Sequence, residues 1–569
     1  MSVVVEERPV PAFDPSDWPA SVPPVIQRIY AARGCTKPET VEHVVSKLIH
    51  WGELGNILPA AKIIAEAIKE QKHITVSGDY DCDGATGTSV MVRGLRMLGA
   101  LNVKFVVPNR FKHGYGLSPA LVDDMPDETQ LIITVDSGVS NIEGVARAKE
   151  LGRMVVITDH HLPGDSLPDA DAIVNPNCKG DPFPSKALAG VGVAFYVMLA
   201  TRHVMRQTDM LIRGEPDLSS LLDLVALGTI ADLVPLDQNN RILVAAGLRR
   251  IRTGRVSPGL RALIERAGKS IGELTSTDFA FAVGPRLNAA GRMEDMSIGI
   301  TALISEDPAQ IAHFVDLLES INDDRKERQQ EMISEAESIV AETGDTSTRG
   351  VVVFDPKWHS GIVGLVASKL KESLYRPVIA LAPAEEGSTE LRGSARSIPG
   401  FHLRDALALV DARNPGLMKK FGGHAMAAGL SMDIVGADRF KVAFNEAATE
   451  MITDEMLNAS LLTDGELPQG CFSAEFADLL DLSGPWGQGF PSPMFRNTFR
   501  VLEAVVLKEK HLRLDLEDER DGSFVKGIYF FSPILSDFPA RVRATFELSV
   551  NAWKQYRNPQ LMIRHLEPL

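Results

Sequence analysis

From about residue 60 the chain alternates short apolar runs with amphipathic stretches. His73–Ser77 (HITVS) reads as a strand and Ala85–Leu98 as a helix; Val103–Val107, Leu131–Val135 and Met154–Thr158 read as further strands. Helices at about 141–151 and 187–205 fall between or after them. β-Branched runs separated by helical periods predict a mostly parallel sheet covered on both faces. Upstream, residues 1–50 form a Pro-rich lead with a short helical piece around Ile26–Ala32.

Residues 306–342 contain no Gly and one Pro, near the start, and carry apolar residues at helical spacing among many charges. They predict one long connector helix, with Asn322 as the candidate point for a break, ended by the turn residues of 343–350. A second α/β unit follows at about 350–455, with strands at Val351–Phe354 and Val378–Leu381 and helices at Ile362–Leu374 and Ala437–Met451. From about 456, Phe499–Leu507, Leu512–Leu516, Phe524–Phe531 and Arg541–Val550 alternate in strand fashion and predict a small antiparallel β domain, with a barrel as one way to close it. The domain plan is therefore a lead segment (1–50), an α/β domain (51–305), a connector helix (306–345), a second α/β domain (346–455) and a terminal β domain (456–569).

Composition adds exclusions. The 569 residues carry 59 Lys and Arg against 75 Asp and Glu, a net charge of −16, with 44% hydrophobic and 24% charged residues. That is globular composition and excludes a disordered or collagen-like chain. The acidic balance argues against indiscriminate nucleic-acid binding, although it leaves room for a basic groove on one face. The four cysteines form no CxxC pair, which excludes a disulfide scaffold and a zinc knuckle. Glu6 and Glu7 interrupt the start in a way signal peptides do not, and no apolar run reaches the roughly 18 residues of a membrane helix. The expected compartment is the cytoplasm, without membrane attachment.

The informative feature is where the acids fall. Gly78-Asp79-Tyr80-Asp81-Cys82-Asp83-Gly84 follows the first strand, Asp136-Ser137-Gly138 follows LIITV, and Asp159-His160-His161 follows MVVIT; Asp232 closes LGTIAD. The C-terminal strand ends of an open parallel sheet share one edge, where ligand sites form. Three strands thus deliver Asp, Asp and Asp-His-His to one rim, and Asp232 can join from a helix end. A single strand-end Asp is ordinarily a helix cap or turn residue; the conjunction is what points elsewhere. Hard carboxylate oxygens with imidazoles suit Mg²⁺ or Mn²⁺. Two such ions roughly 3.5–4 Å apart can polarise a phosphoryl oxygen and activate water, with no Ser or Cys nucleophile.

These four motifs resemble those of the DHH phosphoesterase superfamily, and Phe421-Gly-Gly-His-Ala-Met-Ala-Ala-Gly429 resembles the glycine-rich motif of its associated domain. PNRFKHGYGLS (108–118), SKALAGVGVAFY (185–196), GPRLNAAGRM (284–293), WHSGIVG (358–364) and GPWGQGFPSPMF (484–495) narrow the likeness. They resemble the bacterial RecJ family of single-strand-specific 5′→3′ DNA exonucleases, over nearly the whole chain. The resemblance implies Asp81, Asp83, Asp136, His160 and Asp232 as metal ligands, with Asp136 bridging, His161 on the scissile phosphate and Asp159 orienting a neighbouring histidine. Ser77 stands where smaller members of the superfamily have a nearby His, so the first metal site is either weaker or completed by Asp79.

Arg110, Arg286, Ser394 and Arg396 are candidates for a 5′-phosphate pocket, with Asn288 and Arg292 beside Arg286. His359 and Ser360 open a helix, a natural anion site. Gly422, Gly423 and His424 read as a tight loop where backbone can approach a ligand, or as an ordinary turn entering a strand. The terminal domain resembles an oligonucleotide-binding (OB) barrel, with Lys508, Lys510, His511 and Arg513 as phosphate contacts or as a solvated basic turn. The family implies a groove flanked by the two α/β domains, a monomeric enzyme of recombination and repair, and single-strand-binding protein and a helicase as partners. A phosphoesterase for short oligonucleotides, cyclic dinucleotides or pyrophosphate is the alternative, disfavoured by the terminal β domain. A binding module without catalysis is disfavoured because every acidic motif position is kept.

Overall fold

The computed structural model describes residues 3–109, 112–211, 214–343, 348–534, 536–553 and 556–569. It falls into two compact units. One comprises Glu7–Glu319 and Leu462–Leu569; the other comprises Ser320–Leu461 and the segment ending at Glu6. The Pro308–Thr343 helix runs from the first into the second without the break anticipated at Asn322. Asn322 does not interrupt the helix; its Oδ1 accepts from Arg325 Nη2 one turn on (2.6 Å).

The first unit is built on five parallel strands: β1 (Ile74–Ser77), β2 (Val103–Val106), β3 (Leu131–Val135), β4 (Met154–Thr158) and β5 (Ala172–Val174), in the order β2-β1-β3-β4-β5. β1 and β3 are buried at every position, which is why they read as unbroken apolar runs rather than as alternations. Sequence reading missed β5, which is only three residues long, and the helices Gln238–Arg252 and Gly284–Met293; it placed Asp232 at a helix end without giving bounds for the Leu222–Ala231 helix that leads to it. The Leu222–Ala231 helix is mostly apolar and buried on nearly every side, Asp223 and Thr229 included, and so lacks the one-sided stripe that marks a surface helix.

In the same unit, β11 (Phe495–Leu507), β12 (His511–Asp518), β13 (Phe524–Tyr529), β14 (Arg541–Trp553) and β15 (Tyr556–Pro568) close a barrel in the order β11-β12-β13-β15-β14. The expectation of a purely antiparallel domain is corrected by β15, which runs parallel to β13 and completes the closure. A closed barrel leaves no sheet edge to pair with another chain.

In the second unit, β6 (Val351–Phe354), β7 (Val378–Pro383), β8 (Glu390–Arg396), β9 (Met418–Gly423) and β10 (Ala427–Asp433) form a mixed sheet in the order β9-β10-β8-β7-β6. β6 and β7 are parallel and the other pairings antiparallel. The last three strands escaped sequence reading because glycines and charged residues break their alternation. Gly422 and Gly423 accordingly end β9 rather than forming a free loop, and His424 sits in the turn to β10, its N–H donating to Ala427 O (2.8 Å).

Candidate metal centre and phosphate-binding residues

Sheet register sets up the rim. Ser77 pairs with Thr134 and Val135 with Thr158, so the Asp79, Asp136 and Asp159 segments leave adjacent strands at one level. Asp136 turns off β3 with φ 61°, a left-handed conformation that Asp tolerates better than most residues. Thr134 Oγ1 donates to Ser137 O (2.7 Å) and fastens that turn. Asp81 caps the Cys82–Met97 helix, accepting from Gly84 N (2.9 Å). This cap starts the helix three residues before the predicted Ala85. The Asp83 carboxylate accepts from Gly190 N (2.7 Å) and Val191 N (2.9 Å) at the start of the Gly190–Gln207 helix, whose dipole favours an anion there. Asp232 follows the last turn of Leu222–Ala231.

Glycines make this closeness sterically possible. A Cβ on Gly190 would stand 2.5 Å from Asp136 Oδ1, and one on Gly228 would stand 2.2 Å from Thr86 Oγ1.

The predicted ligands meet. His160 Nε2 lies 3.0 Å from Asp136 Oδ1, 3.5 Å from Asp232 Oδ2 and 3.9 Å from Asp83 Oδ2. Ligand atoms of Asp83, His160 and Asp232 fall within 4.8 Å of one another, as do those of Asp79, Asp81 and Asp136, and those of Asp136, His160 and His161. Asp136 therefore stands between an all-acid group and an acid–imidazole group.

Three of these atoms, Asp136 Oδ1, His160 Nε2 and Asp232 Oδ2, are buried with no hydrogen-bond partner. Burying polar atoms unpaired is costly. Burial, then the neighbouring carboxylates, push Asp83 up to about 7 and Asp232 up to about 10, and raise Asp136 in the same way. Burial and the neighbouring His161 charge hold His160 down to about 4, leaving a neutral ring nitrogen able to donate its lone pair. The donor set therefore fits divalent cations, which would satisfy the orphaned atoms and cancel the repulsion.

His161 differs from its neighbour. Burial opposes its charge, but the Asp159 hydrogen bond and charge, with Asp79 and Asp81, hold it up to about 9. Asp159 Oδ1 takes His161 Nδ1 (2.8 Å) and the backbone N–H of His160 (2.7 Å), and Oδ2 takes Val139 N (2.9 Å). Asn177 Nδ2 and Asn175 Nδ2 donate to the carbonyls of His160 (2.6 Å) and His161 (2.8 Å). Sequence reasoning passed over these asparagines and Tyr115, whose hydroxyl lies 3.4 Å from His161 Nε2. Tyr115 lies inside the quoted 108–118 motif, whereas the asparagines stand 14 and 17 residues beyond the histidines whose carbonyls they hold, too far for a local signal.

The phosphate candidates divide. Arg110 lies outside the described residues. Arg286 turns its fork onto Glu319, Nε to Oε2 at 2.5 Å and Nη2 to Oε1 at 3.0 Å, so the structure places it in an internal ion pair rather than open to a phosphate. Asn288 Oδ1 accepts from Cys82 N (2.9 Å) and steadies the Asp81–Asp83 turn. Arg292 lies in the last turn of Gly284–Met293, a helix where glycine-rich sequence had hidden one.

In the second unit Ser394, Arg396 and the start of the Val363–Leu374 helix do converge. A Cβ on Gly364 would stand 3.0 Å from Ser394 Oγ and 3.1 Å from Arg396 Nη2. Arg396 Nη1 donates to Ser394 Oγ (2.9 Å), and burial lowers its pKa. Ser394, Gly429 and Gly422 pair across β8, β10 and β9, so two glycines leave open floor beside the serine. His359 Nδ1 accepts from Gly361 N (3.1 Å), and Ser360 precedes the same helix. In the barrel, Arg513 pairs with Glu503 (3.0 Å), His511 Nδ1 accepts from Phe531 N (3.0 Å), and Lys508 occupies a left-handed turn position, φ 49°.

Fold and site define a DHH-type α/β protein with acid and imidazole groups positioned for divalent cations. Family models agree: the DHH family N-terminal domain matches 73–229, the DHHA1 domain 347–452 and the RecJ OB domain 463–565. Single-stranded-DNA-specific exonucleases RecJ of Salmonella typhimurium and Escherichia coli are each 44% identical, covering 98% and 97% of both chains. The crystal structure of RecJ from Thermus thermophilus in complex with Mn²⁺ superposes with TM-score 0.81 at 30% identity, covering 99% of this chain and 80% of that one. Its Mg²⁺ complex gives 0.76 at 28% identity, over 99% and 79%. The chain belongs to the RecJ family of single-stranded-DNA-specific exonucleases. Among the described residues no helix is long and apolar enough to cross a membrane.

Proposed function

We propose that this protein is a divalent-cation-dependent exonuclease that hydrolyses single-stranded DNA from its 5′ end, with Mn²⁺ or Mg²⁺ as the cation. The observation that carries this is the convergence of six strand- and helix-end ligands, three of whose ligand atoms are buried without a hydrogen-bond partner. Asp83, His160 and Asp232 would hold one cation and Asp79, Asp81 and Asp136 the other, and Asp136 would serve both. When bound, the pair supplies polarisation of a phosphoryl oxygen and acidification of the attacking water.

The chain's own groups do the rest. Asp159 fixes the His161 ring through Nδ1 and keeps it protonated, leaving Nε2–H to donate to a non-bridging oxygen of the scissile phosphate. Ser394, Arg396 and the start of the Val363–Leu374 helix take the terminal phosphate, with His359 and Ser360 at that helix start. Gly422, Gly423 and His424 let backbone approach the strand, and Arg110 and Arg292 contribute further phosphate contacts. The barrel holds the strand beyond. On this reading residues 51–305 carry the chemistry, 346–455 grip the end and 456–569 bind single-stranded DNA. A role in recombination and repair, a monomeric state, a cytoplasmic location and cooperation with single-strand-binding protein and a helicase complete the proposal.

The test is digestion of 5′-labelled single- and double-stranded DNA with and without Mn²⁺. Mn²⁺-dependent release of labelled mononucleotide from the single strand alone is expected. Equal turnover of a dinucleotide would favour a small-substrate phosphoesterase, and binding without product would favour a non-catalytic module.

A further inference from the structure

Four arginines crowd a recess separate from the acid rim. The Gln238–Arg252 helix ends in Arg249, Arg250 and Arg252, and the turn at Gly254 (φ 79°) brings in Arg255. With Ser219 and Leu222 they line a cavity of about 400 Å³. Leu222 opens the helix that ends at Ala231, just before Asp232. Ten residues at about 1.5 Å each separate the recess from the rim by about 15 Å.

The guanidiniums are held by neutral groups. Arg249 donates to the His43 carbonyl, Arg250 Nη1 to Ser219 Oγ (2.9 Å), Arg252 Nε to the Leu274 carbonyl (2.8 Å) and Arg255 Nε to Thr253 Oγ1 (3.2 Å). Among the described residues, Arg249, Arg252 and Arg255 make no ion pair, and Arg250 meets only the exposed Asp217, at 4.0 Å. Arg250 Nε is buried with no hydrogen bond. Burial lowers the pKa of Arg249 and Arg252, with the charges of Asp481 and Asp278 partly offsetting it at Arg252. Four like charges gathered in a chain of net charge −16, each fixed in place with N–H groups unspent, form a preorganised anion receptor. Its size lies in the range of small-molecule sites, about 300–1,000 Å³. Leu222 and Val45 supply apolar wall beside the charges.

We propose that this recess binds the phosphomonoester of a free nucleotide, at a site distinct from the cation centre. Choosing a nucleotide rests on the exonuclease reading, because a nucleoside 5′-monophosphate is the product that reading predicts. Binding, however, is measured without turnover, so either can fail alone.

The test is calorimetric titration of the full chain in EDTA with thymidine 5′-monophosphate, inorganic phosphate, thymidine and a 5′-hydroxyl oligothymidylate. Binding of the monophosphate, weaker binding of phosphate and none of thymidine are expected. Arg255→Glu changes an exposed residue whose side chain bonds only Thr253 and should weaken the monophosphate at least tenfold with an unchanged melting curve. Arg249→Gln with Arg255→Gln should do the same, whereas Arg396→Ala should leave this binding in place. Unchanged affinity in both recess variants, or no binding by the wild-type chain, overturns the proposal. Loss of oligothymidylate binding in the recess variants, with monophosphate binding intact, overturns it in favour of a strand-tracking surface.

Discussion

The acid rim of the parallel sheet and the Ser394–Arg396 row of the mixed sheet solve opposite electrostatic problems. The rim gathers like charges in a buried place, leaves three polar atoms unpaired and drives its carboxylates towards the neutral form. It is incomplete without added positive charge. The row buries a single guanidinium and satisfies part of it internally, from Ser394 Oγ and the Ala395 carbonyl. It is stable as it stands and offers open space beside two glycines. One region is specified by what it lacks, the other by what it leaves uncovered.

That contrast can be broken most sharply at Asp136. Asp136→Ala should bring strand cleavage below detection while circular dichroism and strand binding persist, because it removes a repelling buried charge rather than a packing element; retained turnover would remove the bridging role. Gly190→Ala should come next, since its new methyl collides with Asp136 and disturbs the N–H that holds Asp83. The expected readout is lost Mn²⁺ affinity in a folded protein, and normal affinity would show that the rim tolerates movement.

Asp159→Asn should cost about 10–100-fold in rate and move the alkaline limb of the pH profile downwards, because His161 then loses the partner that holds it up to about 9. An unshifted limb would separate Asp159 from His161. Arg396→Ala should lower discrimination between 5′-phosphate and 5′-hydroxyl ends by about tenfold, the worth of one charged hydrogen bond, with little change in rate on saturating substrate. Equal loss on both ends would take Arg396 out of the terminal pocket.

The smallest effect is on stability. Asp83 sits near 7 in the folded, metal-free protein but at the ordinary carboxylate value when unfolded. The folded state then binds more protons between about pH 4 and 7, and stability falls as pH climbs through that window. Asp136 and Asp232 add to this trend, and His160, held neutral down to about 4, offsets part of it. Mn²⁺ should therefore raise Tm more at pH 8 than at pH 5; an equal rise would mean the cation does not relieve carboxylate repulsion.

Legibility followed from local signal. β1, β3 and β4 and their terminal acids were readable because uninterrupted apolar runs end on Asp. β8, β9 and β10 were not, because Gly393, Gly422, Gly423 and Gly429 replace the alternating side chains that mark a strand. Arg286 and Arg396 looked alike, each an arginine in a glycine-rich setting, yet one is consumed by Glu319 and the other is not. Nothing within a few residues of Arg286 announces a partner 33 positions away.

By itself the amino-acid order determined the parallel sheet, the long helix and the set of acids and imidazoles, since each depends on neighbours along the chain and on the rule that parallel strand ends share an edge. Tertiary structure alone decided which oxygen and nitrogen atoms are stranded without partners, which guanidiniums are already paired, and that four arginines share one recess. Those outcomes depend on through-space distance and exclusion of water, and residues far apart in the chain set both.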